Sequence, residues 1–92
     1  DFVPCQVLNL SEGGLFIMKK DPYPMGTAVD LRLILRSEEG PLPVTGKVVY
    51  VVERAHSQKP RGMGIKFDEL ETAVRKKLQL YLERHISSLL GR

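Results

Sequence analysis

The stretch "LNLSEGGLFI", residues 8–17, places two apolar runs on either side of a short polar segment. Leu8 and Leu10 belong to the first run, and residues 15–17 form the second. The other residues of the stretch are of types that favour turns: Asn9, Ser11, Glu12, Gly13 and Gly14. We therefore predict a hairpin whose strands cover residues 2–9 and 15–20. The open question is whether this turn only reverses the chain or also holds a ligand.

Three further segments continue the strand pattern. In residues 27–36, apolar and polar side chains alternate, which is typical of a strand with one buried face. Residues 44–54 predict a long strand, in which Gly46 indicates a bulge or a tight bend. The segment "GMGIKF", residues 62–67, predicts a short strand. The segment "DPYPMG", residues 21–26, is a turn because proline fixes φ and glycine permits a sharp bend.

The hydrophobic period changes at Asp68. Apolar side chains then recur at a four-residue step, which predicts an amphipathic helix of about six turns. The residues of this stripe are Leu70, Val74, Leu78, Leu82 and Ile86, with Tyr81 and Leu89 widening it. Asp68 fits an N-cap, and Glu71 three residues later resembles a capping box. Gly91 would end the helix.

These elements predict one mainly β domain over residues 1–92, because a chain of this length is too short for two domains. Consecutive strands with hairpin-length links must be antiparallel. A meander with apolar residues on both faces of several strands tends to curl into a small barrel. The predicted fold class is therefore a small antiparallel β-barrel followed by a C-terminal amphipathic helix.

The composition argues against some classes of binding partner, namely DNA and membranes. The net charge of +3 is too small to predict non-specific binding to DNA, which usually requires a clearly basic face. The longest apolar runs are far too short to insert into a membrane. Cys5 is the single cysteine, so the chain has no internal disulfide framework and a reduced, cytoplasmic setting is expected.

Residues 9–14 fit the pattern [D/N]-x-S-x-x-G and are followed directly by a strand. A second block, "GMGIKF", precedes the helix, and "YPMGTAVDLRLIL" lies between the two. In this combination the chain resembles a PilZ domain, particularly the variety seen in myxobacterial and related proteins. The resemblance implies a six-stranded antiparallel barrel with a C-terminal helix. It also implies a receptor for the second messenger cyclic di-GMP in signalling that controls motility, pili or exopolysaccharide.

The family binds its ligand with a second motif, R-x-x-x-R, which lies upstream of the first. Residues 1–8 contain no arginine, and the sequence predicts five strands where the family has six. Both differences lie at the N-terminal end. Two interpretations follow: the chain lacks an N-terminal segment with its strand, or it is a divergent member that never had the arginines.

The resemblance implies a cyclic di-GMP site at Asn9, Ser11, Gly13 and Gly14, with Arg61 near the rim of the barrel. An asparagine amide and a serine hydroxyl can each donate and accept hydrogen bonds with a guanine. Glycines let the backbone approach a base or a phosphate closely. The alternative for the loop is that its polar groups only satisfy the turn, and the alternative for Arg61 is an exposed loop arginine.

Two functions from different classes are compatible with these residues. The first is a cyclic di-GMP receptor module that acts on a protein effector or a neighbouring domain. The second is a PilZ adaptor that binds a protein partner instead of the nucleotide, or forms a homodimer, through the end of the long helix at Ile86, Leu89 and Leu90. An enzyme is not expected, because the sequence offers no nucleophile–base set, paired carboxylates, metal-ligand cluster or cofactor motif.

Overall fold

The protein is described from a computed structural model that covers residues 2–36, 40–54 and 60–90, with the side chains of the helix described as far as residue 84. The elements along the chain are β1 (Gln6–Leu8), β2 (Gly14–Met18), β3 (Ala28–Leu33), β4 (Leu42–Val52), β5 (Gly62–Phe67) and α1 (Thr72–Leu90). The predicted fold class is confirmed: the strands form one antiparallel sheet, curled into a half-barrel, and a C-terminal helix follows.

The order of the strands in the sheet is β1-β2-β5-β4-β3. The predicted meander is therefore wrong at one step, since β2 pairs with β5 and not with β3. Residues 19–27 connect β2 to β3 across three strand spacings of about 4.8 Å each. This connection is bound to the sheet, because Val48 accepts a hydrogen bond from the N–H of Gly26 at 2.8 Å and donates one to Thr27 O at 3.0 Å.

The hydrophobic core lies between the inner face of the sheet and α1. In β4 the core residues alternate with exposed positions, whereas β2 and β5 are buried on both faces over most of their length. The sheet contributes Leu15, Ile17, Leu33, Leu42, Val44, Val48, Met63, Ile65 and Phe67, and Leu35 follows β3. The helix covers them with Val74 and with Leu78, whose exposed fraction is 0%. The described part of the predicted stripe, from Leu70 to Leu82, is therefore the face that packs on the sheet.

A second apolar contact lies on the outer face of the sheet. Gly64 of β5 pairs with Phe16 on one side and with Tyr50 on the other. The two rings stack across it, with centroids 5.9 Å apart and planes at 25°. A Cβ on Gly64 would meet the Tyr50 ring, and a Cβ on Gly62 would lie 2.8 Å from the Phe16 ring. The glycines of β5 thus leave the space that the two aromatic side chains fill.

The helix begins at Thr72, so the N-cap and capping box predicted at Asp68 are wrong. The N–H of Arg75 donates to Glu71 O at 2.9 Å, which opens the helical ladder one turn later than expected. Asp68 instead extends the sheet: its N–H donates to Thr45 O and its carboxylate accepts from the Thr45 hydroxyl, both at 2.9 Å. Asp68 therefore bonds to Thr45 of β4 and does not cap the helix.

Two further predictions from the sequence differ from the structure. The first strand covers only Gln6–Leu8 of the predicted residues 2–9. The irregularity in β4 falls between Val48 and Tyr50 rather than at Gly46. A Cβ on Gly46 would lie 2.5 Å from Lys66 O, so this glycine permits a close approach of the strands. The helix end predicted at Gly91 and the side chains of Ile86, Leu89 and Leu90 lie outside the described parts.

The glycine at position 62 should be required for stability. We expect Gly62→Ala to lower the free energy of unfolding by about 1–3 kcal/mol, because the new methyl group overlaps the buried Phe16 ring and Ile17 O. Urea unfolding followed by circular dichroism measures this change. Gly13→Ala is the matched control, since nothing lies within 4 Å of a Cβ there. Equal stability of the two variants would contradict the packing described for β5.

Candidate functional site

The loop between β1 and β2 is stabilised by its own polar groups. The Ser11 hydroxyl oxygen accepts hydrogen bonds from the N–H groups of Gly13 at 3.3 Å and Gly14 at 3.2 Å. The same hydroxyl lies 3.2 Å from Gly14 O, to which the N–H of Ser11 donates at 2.9 Å. Ser11 therefore shapes the turn, and the loop's amide groups at Gly13 and Gly14 are already hydrogen-bonded.

Contacts outside the loop fix its position. Gly13 O accepts a hydrogen bond from the N–H of Phe67 at 2.8 Å, which ties the loop to the end of β5. Gln79 on α1 donates from its side-chain amide to the Glu12 carboxylate at 3.0 Å. Gly14 is held against β5 so closely that a Cβ would overlap Ile65 O. The loop is thus joined to both the sheet and the helix.

Asn9 is the polar side chain of the loop that is available to a ligand. Its backbone has φ 55°, in the left-handed region that asparagine adopts more readily than most residues. The residue is exposed, and its side-chain amide makes no hydrogen bond within the described part of the chain. The amide can therefore donate to or accept from a bound molecule.

A depression of about 330 Å³ opens beside the loop on the outer face of the sheet. Asn9, Gly13 and Gly14 form one side of it, and Tyr50 and Lys66 form another. Val49 also lines it, together with Leu15, Phe16 and Ile65. The lining residues include an aromatic residue, an asparagine and a lysine, and the volume is enough for part of a nucleotide, since ligand pockets usually start at about 300 Å³.

Arg61 is not brought together with the loop. In the pairing of β2 with β5, Gly14 lies opposite Lys66, whereas Met18 lies opposite Gly62, next to Arg61. Arg61 and Lys66 are five positions apart in the sequence, or about 16 Å along an extended strand. The guanidinium of Arg61 lies 3.4 Å from Lys20 O, at the opposite end of β5 from the loop.

Sequence reasoning missed Tyr50, Lys66 and Lys47. Tyr50 and Lys66 line the depression, and Lys47 is the partner of Lys66 in the pairing of β4 with β5. Alternation could have placed both lysines on the polar face of their strands. Their position beside the loop could not be found in this way, because it depends on β5 lying between β2 and β4.

A larger apolar groove of about 460 Å³ lies between the two edges of the half-barrel and the helix. Its side chains come from β1, the end of β3 and α1: Val7, Leu10, Leu33, Ile34, Leu35, Tyr81 and Leu82. Asn9 also borders this groove, so it lies between the two depressions. Across residues 2–36, 40–54 and 60–90, no group of His, Cys, Asp and Glu could hold a metal ion.

A curled antiparallel sheet with a polar loop at its rim and a covering helix defines a small domain of the β-barrel class. A family model described as PilZ domain matches residues 2–84, and the chain therefore belongs to the PilZ domain family. PilZ is a family of binding and receptor domains rather than catalytic ones, and cyclic di-GMP is the ligand associated with the family. A search of curated proteins found no match to the chain. None of the described helices is long and apolar enough to cross a membrane.

The Ser11 hydroxyl should control the rigidity of the loop. We expect Ser11→Ala to raise the hydrogen-exchange rates of the Gly13 and Gly14 amides about fivefold, because a lost hydrogen bond is worth roughly 1 kcal/mol. Nuclear magnetic resonance measures these rates directly. Ser11→Thr retains the hydroxyl and should leave them near the wild-type values. Unchanged exchange in Ser11→Ala would show that the hydroxyl does not hold the loop.

Proposed function

We propose that this domain binds cyclic di-GMP in the depression beside the β1–β2 loop and acts as a cytoplasmic regulatory module. It would transmit the signal to a protein effector or a neighbouring domain, in the control of motility, pili or exopolysaccharide. The observation that carries the proposal is that Asn9, Gly13 and Gly14 of the family's motif line a depression that Tyr50 and Lys66 also line. The domain acts in this proposal by binding, without catalysis.

The guanine base is the part of the ligand that these groups suit best. Tyr50 is 38% exposed and is backed by Phe16, so its ring offers a firm surface for stacking. The Asn9 side-chain oxygen can accept from the N1–H and N2–H groups of guanine. Gly13 leaves open space where any other residue would place a side chain. Base recognition therefore involves Asn9, Gly13 and Tyr50, while Ser11 and Gly14 set the shape of the loop.

A bound nucleotide would act by stabilising one arrangement of the domain over another, and only to the extent of its differential affinity for the two. The loop is a suitable place for such an effect because it contacts the helix through Glu12 and Gln79. A ligand that fixes the loop would also restrict the middle of α1, around Gln79. In this proposal, α1 transmits the effect of nucleotide binding to a protein partner.

Calorimetric titration of cyclic di-GMP into the domain tests the proposal. We expect binding to the wild type and an affinity about three- to tenfold lower for Asn9→Gly, which removes the amide but retains the left-handed backbone. Asn9→Asp should bind more tightly than Asn9→Gly, since a carboxylate accepts from the same guanine edge. Cyclic di-AMP should bind weakly, because adenine lacks the N1–H and N2–H donors.

Arg61→Ala is the matched control and should bind like the wild type, since Arg61 lies at the other end of β5. Absence of binding to the wild type at high micromolar cyclic di-GMP would overturn the proposal. It would favour the alternative function, a PilZ adaptor that binds a protein partner. Equal affinity of the wild type and Asn9→Gly would show that the nucleotide does not use the loop amide.

A further inference from the structure

We propose that Lys47 and Lys66 together form an anion-binding site for a phosphate group at the edge of the depression. For a nucleotide ligand this inference rests on the proposed function, because it names the residues that would bind the phosphates. Residues 1–8 supply no arginine for this purpose. The loop's N–H groups at Gly13 and Gly14 are bonded to the Ser11 hydroxyl, so they are not free to bind a phosphate either.

The register of the sheet places the two lysines side by side. Lys66 of β5 lies opposite Lys47 of β4 and, on its other side, opposite Gly14 of β2. Both lysines are exposed between buried neighbours, so both project from the outer face of the sheet. Directly opposed residues have Cβ atoms about 4.5–5.5 Å apart, which lets two flexible ammonium groups reach the same phosphate.

Two like charges directly opposite each other destabilise a sheet unless something compensates them. Within the described residues, no carboxylate forms an ion pair or hydrogen bond with either lysine. The nearest acidic positions in the register are Asp30 and Asp68, both beside Thr45, and Asp68 already accepts from the Thr45 hydroxyl. An anion between the two ammonium groups would compensate the repulsion.

The position of Lys47 and Lys66 relative to Tyr50 suits a nucleotide. The register row Gly14–Lys66–Lys47 is adjacent to the row Phe16–Gly64–Tyr50 on the same face. A base on the Tyr50 ring and a phosphate on the lysines would therefore be one register row apart, about 7 Å along the strand. This separation is comparable to that between a base and the phosphate of its own nucleotide.

Charge-neutral variants test the inference with two independent readouts. Lys47→Gln and Lys66→Gln, singly and together, remove the charge and retain a polar side chain with part of the aliphatic stem. The first readout is calorimetric affinity for cyclic di-GMP at low and at high salt. We expect the double variant to bind at least tenfold more weakly than the wild type and to lose most of the salt dependence. Lys76→Gln, an exposed lysine on the helix, is the control and should change neither quantity.

The second readout uses pyrophosphate alone and does not depend on nucleotide binding. Millimolar pyrophosphate should raise the Tm of the wild type and of Lys76→Gln, but not that of the double variant. Without any anion, the double variant should unfold at the wild-type Tm or above it, because the repulsion is gone. If the lysines only stabilised the fold, the double variant would unfold at a lower Tm than the wild type.

The outcomes separate this inference from the proposed function. If the wild type binds no nucleotide but pyrophosphate stabilises it through the two lysines, the anion site stands and the receptor proposal fails. If the wild type and the double variant bind cyclic di-GMP equally well, the anion site is wrong and the receptor proposal stands. Equal stabilisation of the wild type and the double variant by pyrophosphate also overturns the anion site.

Discussion

The packing of two aromatic rings against the glycines of β5 is the constraint on which the half-barrel depends. Phe16 is only 2% exposed although it lies on the outer face of the sheet, because Tyr50 stacks beside it. Gly62 and Gly64 leave the space for both rings. On its inner face the same strand contributes side chains to the core. A strand buried on both faces is stable at the centre of the sheet, and β2 and β4 are its neighbours there.

The same register assembles the candidate site from distant parts of the chain. Because β2 pairs with one side of β5, the β1–β2 loop lies at the end of β5 that contains Lys66. Because β4 pairs with the other side, Tyr50 and Lys47 reach the same surface. Asn9 from the loop, Lys66 from β5, and Tyr50 and Lys47 from β4 are therefore brought to one surface from three parts of the chain. The hydrogen bond from Gln79 to Glu12 then connects this surface to the helix.

The features that sequence predicted well are those with local causes. Turn chemistry located the loop at residues 9–14, and hydrophobic periodicity identified the five strands and the face of α1 that packs on them. Strand order could not be obtained in this way, since a two-residue period shows which side chains are buried but not which strands are neighbours. For the same reason, the sequence placed Arg61 at the start of β5 but could not show that the β1–β2 loop lies at the opposite end of that strand. The capping rule failed at Asp68 because Thr45 of a neighbouring strand bonds to it instead.

The central claim is that one surface, defined by the β1–β2 loop, Tyr50 and Lys66, is where this PilZ domain binds its ligand. Mapping of amide chemical shifts during a titration with cyclic di-GMP tests it most directly. We expect the largest changes at Asn9, Gly13, Tyr50 and Lys66, and almost none at Arg61. Changes that cluster around Arg61 or along the apolar groove, or a spectrum that does not change at all, would contradict the claim.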